Sequence, residues 1–420
     1  MCGIVGQFNH GDGASMGEGT LRRMCAAIVH RGPDHEGHFV DGAFGMGMTR
    51  LSINDLAGGD QPLRNEDGSV VVVCNGEIYN SPALRRRLES RGHRFDSHSD
   101  VAVIPHLYEE YGEDFVRHLD GMFALALWDK RARRLCLARD RIGIKPLYVA
   151  TRPGAVAFAS EITALMAAGW CEDLDLTSLH HYLSLGYIPA PGSIFAGVRK
   201  LEPGTQVTFM PDRPATERRY WELRFDPETP VRRDEDYAEE VLAALRAAVK
   251  SHLLSDVPIG VFLSGGVDSS GLVGLMSEFA TQRIQTFSVG FEEKSFDELA
   301  LARQVAARYG TDHHEIVVRP DALRVLPALV HHFGEPFADS SAVPVYYVSE
   351  LAHQSVKVVL SGEGADEVFA GYETYLAGKL AAAYRRLPKV VGGTLLPALV
   401  RRRPVSHAKV SLDYKAKRFV

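Results

Sequence analysis

Hydrophobic and polar positions divide the chain into two parts with different patterns. In the first half, short apolar runs alternate with glycine and charged turns, and they predict strands at 70–74, 122–128, 135–138, 147–150 and 156–159. Short spacings of this kind favour antiparallel pairing. Two helical stretches, 21–29 and 82–91, lie between them. The first half is therefore predicted to form an αββα sandwich, in which layered antiparallel sheets are flanked by helices.

The second half alternates helices with strands. A helix is predicted over 237–254, then strands at 259–263, 286–289, 314–318 and 356–360, with a helix over 297–309. This alternation predicts a parallel sheet covered by helices, so the overall class is α+β followed by α/β. The stretch 211–236 holds four prolines and many charges, which is typical of a junction. The predicted domains are accordingly 2–210 and 237–420, joined by 211–236.

Composition narrows the class of protein. The chain has 420 residues, 45% of them hydrophobic and 24% charged, with a net charge of -6, which argues against a general nucleic-acid binder. No apolar run approaches the roughly 18 residues that cross a bilayer, and the start lacks the features of a secretory signal, so we expect no membrane partner. Five cysteines without a CxxC pair favour reduced thiols and a cytoplasmic location.

The amino terminus carries a candidate nucleophile. Cys2 follows the initiator Met and precedes Gly3, and removal of Met would leave a thiol and a free α-amino group on one residue. An α-amino group has a pKa of about 8, so it can accept the thiol proton near neutral pH and later donate it to a leaving amine. The alternative interpretation is a start codon followed by a small residue.

Polar residues further along could complete a site around such a nucleophile. Asn75 and Gly76 follow the 70–74 strand and could supply oxyanion donors, although Asn-Gly is also common in hairpin turns. Arg50 could clamp a carboxylate, while Glu77 and Asp100 could hold an ammonium group. Each of these charges, taken alone, is more often plain surface.

Five segments in order, MCGIVG, HRGPDHEG, TRLSI, CNGEIYN and RDRIGIKPLY, resemble the glutaminase domain of the N-terminal-nucleophile amidotransferases over about residues 2–205. The resemblance implies that Cys2 is the nucleophile and that Asn75 and Gly76 form the oxyanion hole. It also implies a glutamine pocket lined by Arg50, Leu51, Ile53, Asn75, Gly76, Glu77 and Asp100.

A candidate phosphate loop occupies 258–270, PIGVFLSGGVDSS. An apolar strand leads into a glycine turn and a helix start, and such a joint offers backbone amides and hydroxyls to an anion. The loop residues are Ser264, Gly265, Gly266, Asp268, Ser269 and Ser270. The Walker lysine is absent, which favours attack at the α-phosphate of ATP, and SGGVDSS resembles the pyrophosphate loop of ATP pyrophosphatases. The alternative is a joint that merely needs glycine.

A second loop, 358–372, follows another predicted strand and is acidic. Glu363, Asp366 and Glu367 lie on its glycine-rich turns, and carboxylates beside a triphosphate usually hold Mg²⁺. A solvated acidic turn is the alternative interpretation.

Both halves together resemble the glutamine-hydrolysing asparagine synthetases. The resemblance implies ATP contacts at Leu263, Val289, Ser361 and Gly362, contacts to Mg²⁺ or pyrophosphate at Asp268 and Asp366, and a role for Glu363 in forming an acyl-adenylate. It implies glutamine, aspartate and ATP as ligands and leaves a homodimer open as an assembly.

The family's acceptor-recognition segment is not found in this sequence, which ends within a predicted helix, so we expect the chain to be incomplete at its carboxyl end. The identity of the acid acceptor is therefore open. Amidation of a different carboxylate, in polysaccharide or peptide modification, is the first alternative. A non-catalytic partner protein is the second, and the presence of Cys2, Asn75, Gly76 and Asp268 speaks against it.

Overall fold

The computed structural model of the chain describes residues 2–11, 13–225, 231–293, 297–319, 322–402, 404 and 412–419. The chain forms two compact units, one of Met1–Val257 with Asp321–Val343 and one of Pro258–Pro320 with Pro344–Val420. Part of the predicted junction, 226–230, lies outside the described residues, and the domain limits drawn from the sequence stay a prediction.

The elements are numbered in chain order. The strands are β1 (Gly3–Asn9), β2 (His35–Asp41), β3 (Phe44–Arg50), β4 (Leu63–Arg64), β5 (Val70–Ile78), β6 (Gly121–Asp129), β7 (Arg134–Arg139), β8 (Tyr148–Arg152), β9 (Ala155–Ala159), β10 (Val198–Lys200), β11 (Thr205–Phe209), β12 (Thr216–Arg219), β13 (Ile259–Phe262), β14 (Gln285–Phe291), β15 (Asp312–Val318) and β16 (Val358–Leu360). The helices are α1 (Glu18–Ala27), α2 (Ser81–Glu89), α3 (Val103–Tyr111), α4 (Ile162–Ala167), α5 (Leu176–Leu185), α6 (Asp234–His252), α7 (Val267–Ser277), α8 (Leu299–Tyr309), α9 (Ala322–Phe333), α10 (Ala342–His353), α11 (Ala365–Phe369), α12 (Glu373–Tyr384), α13 (Leu396–Arg401) and α14 (Leu412–Phe419).

In the described residues of the first unit, two six-stranded antiparallel sheets form the central layers. Their strand orders are β10-β8-β9-β1-β3-β2 and β12-β11-β7-β6-β5-β4. One hydrophobic cluster fills the space between the sheets, with Phe8 and Phe44 from one and Val73 and Trp128 from the other. The predicted αββα sandwich of antiparallel sheets is confirmed.

Helices cover the outer faces of these sheets. The helices α2 and α3 pack on the second sheet through residues such as Leu88 and Leu107. The helices α1 and α4 pack on the first through residues such as Met24 and Leu165. Strand β5 is buried on both faces, because alternate valines point to the inter-sheet cluster and to the helices. That double burial explains the unbroken apolar run VVVVC, which a half-exposed strand would not need.

The second unit contains a parallel sheet with the order β15-β14-β13-β16, and the predicted parallel α/β domain is confirmed. The chain leaves β13 towards β14 on one side and later returns to place β16 on the other. Strands β13 and β16 therefore flank a topological switch point, and ligands of open α/β sheets bind at the carboxyl ends of such strands. Among the described residues, no helix is both long and apolar enough to cross a membrane.

Candidate active sites

Cys2 lies immediately before β1, the central strand of the first sheet. Its thiol is half-buried, packs against the inter-sheet cluster and points to the backbone oxygen of Leu51, with Sγ at 3.7 Å. Burial raises the pKa of the Cys2 thiol, although the Leu51 carbonyl contact acts in the opposite direction. A nucleophile at this position consequently needs a local base to become a thiolate.

Arg31 holds the backbone of Cys2 in place. Its Nε donates to the carbonyl oxygen of Cys2 at 2.9 Å, while its Nη1 lies 2.6 Å from Glu161 Oε1. The same Glu161 oxygen lies 3.1 Å from His30 Nε2. Gly3 allows this close packing, since an added Cβ would lie 2.6 Å from Ile28 Cδ1. Arg31 is a site residue that sequence reasoning missed, although it lies inside the HRGPDHEG segment.

The predicted oxyanion residues lie inside strand β5. Asn75 pairs in register with Ala124 of β6 and Gly76 with Phe123, so the hairpin-turn alternative for this Asn-Gly pair is wrong. The Asn75 side chain is buried, and its Nδ2 has no hydrogen-bond partner among the described residues. A Cβ on Gly76 would lie 2.2 Å from the carbonyl oxygen of Met122, so only glycine fits there. The structure therefore presents a buried amide donor that is free for a ligand.

Charged side chains gather in the same buried region. Burial and the neighbouring Asp100 raise the pKa of Glu77 to about 8, and Lys145 opposes that shift. Burial likewise raises the pKa of Asp100, against a hydrogen bond from the backbone N–H of Ile78 at 2.6 Å to its Oδ2. Burial lowers the pKa of Lys145, and the Glu77 carboxylate acts against it. Glu77 therefore interacts electrostatically with both Asp100 and Lys145, and Lys145 is a residue of this region that sequence reasoning missed.

Arg50, at the end of β3, is buried, and both of its terminal nitrogens contact the following loop. Its Nη2 donates to the backbone oxygens of Asn54 and Asp55, at 2.9 and 2.8 Å, and its Nη1 lies 2.6 Å from Asp60 Oδ1. Asn54 in turn donates through Nδ2 to Glu77. Arg50 therefore shapes the loop that holds Leu51 and Ile53, both half-buried, and its role as a carboxylate clamp stays a prediction.

The RDRIGIKPLY segment forms a loop that its own first residues organise. Arg139 donates to the backbone oxygens of Lys145 and Leu201, at 2.8 and 2.6 Å. Asp140 accepts from the backbone N–H groups of Ile144 and Lys145, at 2.9 and 3.0 Å. These bonds fix the backbone of Lys145 and hence direct its side chain towards the charged pocket.

In the second unit, the predicted phosphate loop joins β13 to α7. Gly265 has a φ of 79°, and a Cβ there would lie 2.6 Å from the backbone nitrogen of Ala302. The loop is closed by hydroxyls, since Ser264 Oγ lies 3.0 Å from Ser269 Oγ and accepts from the backbone N–H of Gly266 at 3.2 Å. The Ser270 Oγ is buried and has no hydrogen-bond partner among the described residues.

The second predicted loop meets the first at the switch point. Ser361 and Gly362 follow β16, and a Cβ on Gly362 would lie 3.0 Å from Asp268 Cβ and 3.2 Å from the backbone nitrogen of Ser269. Glu363 is exposed and Asp366 partly so, close after the strand end. The two loops therefore form one surface at the carboxyl edge of the sheet.

Two hydrophobic residues of this predicted site, Leu263 and Val289, lie just after β13 and within β14. Leu263 is buried and donates its backbone N–H to the Phe287 carbonyl at 2.9 Å, which fixes the start of the loop. Val289 lies half-buried on the neighbouring β14. Ser288, which sequence reasoning missed, donates its hydroxyl to the backbone oxygen of Leu263. These contacts position the loop, and an ATP contact by Leu263 and Val289 stays a prediction.

Comparison with known proteins gives the family. A glutamine amidotransferase domain family matches residues 1–221, and the asparagine synthase family matches residues 240–418. A Methanocaldococcus jannaschii protein, provisionally named asparagine synthetase (glutamine-hydrolysing) 2, is 37% identical over 424 residues, which cover 94% of this chain and 81% of that protein. The chain belongs to the family of glutamine-hydrolysing asparagine synthetases.

Two further relatives, one named an asparagine synthetase and one named an amidase, also align with most of this chain. Asparagine synthetase (glutamine-hydrolysing) 1 of Bacillus subtilis is 42% identical over 400 residues, covering 94% of this chain and 63% of the relative. The amidase chyE of Penicillium rubens is 32% identical over 447 residues, covering 99% of this chain and 65% of the relative. The chain thus spans somewhat less than two thirds of the Bacillus protein's length.

Proposed function

We propose that this chain catalyses the glutamine-dependent, ATP-driven synthesis of asparagine from aspartate, with glutamate, AMP and pyrophosphate as the other products. Family membership supports the pairing of a glutaminase half, about 2–210, with a synthetase half, about 237–420. The single structural observation that carries the glutaminase half of the proposal is the buried, unpaired Nδ2 of Asn75 in the region of Cys2, because an unpaired buried donor is costly unless a ligand takes it. The synthetase half rests on the match to the asparagine synthase family.

In the glutaminase half, the Cys2 thiol would attack the side-chain amide carbon of glutamine. Once Met1 has been removed, the thiol proton passes to the freed α-amino group of Cys2 and then to the leaving nitrogen, which departs as ammonia. Asn75 Nδ2 and the backbone N–H of Gly76 stabilise the oxyanion of the tetrahedral intermediate. Water then hydrolyses the thioester and releases glutamate. Glu77 and Asp100 would bind the ammonium group of glutamine, and Arg50 its carboxylate.

In the synthetase half, the hydroxyls and backbone amides of Ser264–Gly266 and Ser269–Ser270 suit the pyrophosphate part of ATP. The side-chain carboxylate of aspartate would attack the α-phosphate, so that pyrophosphate leaves and a β-aspartyl-adenylate forms. Ammonia attacks its acyl carbon and expels AMP. Glu363 lies at the loop where the adenylate would form.

Mg²⁺ is the metal that suits this chemistry. It usually takes one or two carboxylates and completes its shell with water and substrate phosphates. Asp268 and Asp366 fit such a demand, because the backbone of Gly362 brings the acidic loop against Asp268. Bound there, the ion would neutralise phosphate charge.

We further infer a cytoplasmic location from the five free cysteines, and a homodimer stays an expectation.

A second candidate is amidation of another carboxylate. It is favoured by the match to a relative that is named an amidase and that aligns with 99% of this chain. The same glutaminase and adenylate chemistry would serve, with a different acid in place of aspartate.

Mass spectrometry of the products tests these candidates. The protein is incubated with amide-¹⁵N glutamine, MgATP and aspartate, and we expect ¹⁵N-asparagine, glutamate, AMP and pyrophosphate in equal amounts. Glutamate release without AMP, with aspartate or with a panel of other carboxylic acids, would refute an ATP-dependent ligase. AMP and an amide product only with another acid would replace aspartate as the acceptor.

Two variants separate the halves. Cys2→Ala should abolish glutamate release yet keep asparagine formation from added ammonium. Asp268→Ala should abolish asparagine formation yet keep glutamate release. Loss of both activities in either variant, with the fold intact by circular dichroism, would contradict the assignment of Cys2 and Asp268 to separate reactions.

A further inference from the structure

Four side chains of the first unit meet away from the Cys2 site. Glu66 lies in the turn after β4, His93 in the loop after α2, and His106 and Glu109 one turn apart on α3. One donor atom from each lies within 4.8 Å of the others. Two imidazoles and two carboxylates are a common ligand set for divalent transition metals.

The spacing of the donor atoms matches a tetrahedral ion. His93 Nδ1 lies 3.1 Å from Glu66 Oε1 and 3.8 Å from Glu109 Oε2. His106 Nδ1 lies 3.1 Å from Glu66 Oε2 and 3.5 Å from Glu109 Oε2. Zinc bonds of about 2.0–2.1 Å to nitrogen and oxygen place tetrahedral donors roughly 3.3 Å apart. The four separations bracket that value, but Glu66 meets the two histidines with different oxygens, so its carboxylate would bind through both oxygens or turn to admit an ion.

The ring of His106 gives independent evidence for a ligand. It is 2% exposed, and its Nδ1 makes no hydrogen bond of acceptable geometry among the described residues, although two carboxylate oxygens are close. A neutral ring with its proton on the other nitrogen would point a lone pair at those oxygens, which is repulsive. A cation between them removes that repulsion and satisfies the nitrogen.

Outer hydrogen bonds orient the ligands, as they do in known metal sites. His93 Nε2 lies 3.2 Å from Glu110 Oε1, which resembles a carboxylate–histidine–metal arrangement. Asn65 Nδ2 donates to Glu109 Oε1 at 2.8 Å, so the other oxygen of Glu109 is left to face the histidines. The backbone N–H of Arg94 donates to Glu66 Oε1 at 2.9 Å. The carboxylates of Glu66 and Glu109 are about one-third exposed, at 35% and 32%, which gives an ion a route of entry.

We propose that Glu66, His93, His106 and Glu109 form a zinc site. Its role is structural, because His93 and His106 flank the segment 94–105, which holds the buried Asp100, and an ion bound to both would fix that segment. A hydrogen-bonded histidine–carboxylate network without metal is the competing interpretation, and the test below decides between them.

Metal binding to the full chain provides the test. The protein is stripped with a chelator and dialysed against Zn²⁺ without ATP or Mg²⁺, and bound metal is measured by plasma mass spectrometry. We expect one tightly bound Zn²⁺ that both His93→Gln and Glu109→Gln weaken at least tenfold, and a rise in melting temperature with Zn²⁺ that these variants lose. His98→Gln, an exposed histidine in the same loop, is the matched control and should bind as the wild type does.

Cobalt identifies the ligands. Substitution by Co²⁺ should give visible absorption of a four-coordinate site without a thiolate-to-metal band. A thiolate band would place the ion at a cysteine, and unchanged zinc affinity in His93→Gln would place it away from this cluster; either outcome would overturn the proposal. Absence of zinc binding to the wild type would also overturn it. Because His93 is more exposed than His106, His93→Gln is the variant expected to fold, and its melting temperature with chelator verifies that.

Discussion

Replacement of Asn75 by alanine separates chemistry from stability. In the free protein, the Asn75 Nδ2 is buried within β5 and has no hydrogen-bond partner among the described residues. Removing it therefore breaks no donated hydrogen bond in the folded state. An unpaired buried donor costs about 1–3 kcal/mol of stability, so the variant should be as stable as the wild type or more stable.

The expected loss lies in the transition state. If Nδ2 donates to the oxyanion formed when Cys2 attacks glutamine, its removal should cost about 2.7–4 kcal/mol, or about 10²–10³ in kcat. The Michaelis constant for glutamine should change much less, because the oxyanion is absent from the ground state. Synthesis from ammonium does not use this donor and should keep its rate.

Asn80 offers a matched control at the start of α2. Its Nδ2 donates to the His118 carbonyl at 2.9 Å, and its Oδ1 accepts from the backbone N–H of Asp120 at 3.0 Å. Asn80→Ala should therefore cost about 1–2 kcal/mol of stability while leaving kcat per folded molecule near the wild-type value. Urea unfolding and glutamate release, measured on both variants, give the comparison.

The two variants should thus show opposite patterns. If Asn75→Ala loses stability as much as Asn80→Ala does, then Asn75 has a structural partner and the argument from the unpaired donor is wrong. If Asn75→Ala keeps kcat within about threefold, which corresponds to less than about 1 kcal/mol, the oxyanion assignment is refuted.

Three further predictions concern the rest of the two sites. Arg31→Met removes the charged hydrogen bond to the Cys2 carbonyl, which is worth about 1.5–3 kcal/mol. The kcat for glutamine hydrolysis should therefore fall about 10–100-fold, while ammonium-dependent synthesis persists. Equal losses in both assays would contradict a role of Arg31 in positioning Cys2. In the folded protein the pKa of Glu77 is raised to about 8 from an ordinary value of about 4.3. Between these two values the folded state binds a proton that the unfolded state has lost, so the free energy of unfolding should fall as pH rises. Urea titrations should show a flatter dependence of this free energy on pH for Glu77→Gln, and an unchanged dependence would refute the shift. Gly265 has a φ of 79°, and Gly265→Ala would place a Cβ 2.6 Å from the backbone nitrogen of Ala302. AMP formation should therefore be lost while glutamate release continues. Retained AMP formation would show that the loop tolerates a different backbone.

The sequence predicted the layers of both units because burial leaves a readable pattern. The run at 70–74 became the start of β5, and the alternation after residue 237 became the parallel sheet. The pattern did not predict β1 and β3, where glycines interrupt the apolar residues. A Cβ on Gly6 would lie 2.3 Å from the Phe158 ring, and one on Gly47 would lie 2.7 Å from Cys25 Sγ. Close packing therefore demands glycine at these strand positions, and glycine removes the periodic signal.

The candidate site was predictable only where a residue type is unusual for its position. Cys2 and the SGGVDSS loop are of that kind, and the resemblance to a family supplied the remaining residues. Arg31 and Lys145 could not be found from the pattern, since their partners are remote. Arg31 meets Glu161, which is 130 residues away in the sequence, and only the folded sheets bring the two together. The same holds for His93, which reaches Glu66 across 27 residues.

Buried polar atoms without hydrogen-bond partners lower the stability of the fold but can bind a ligand. Fifteen such atoms occur among the described residues, and three of them, Asn75 Nδ2, Ser270 Oγ and His106 Nδ1, lie one in each of the three candidate sites. Folding gains nothing from an unpaired buried polar group, since its hydrogen bonds to water are lost without replacement. A ligand that completes the bond returns that free energy as affinity or as transition-state stabilisation. Such atoms should therefore be nearly neutral to stability when they are removed and costly to binding or rate, whereas a paired side chain such as that of Asn80 shows the reverse. That difference in sign distinguishes a functional donor from a structural one without reference to any relative.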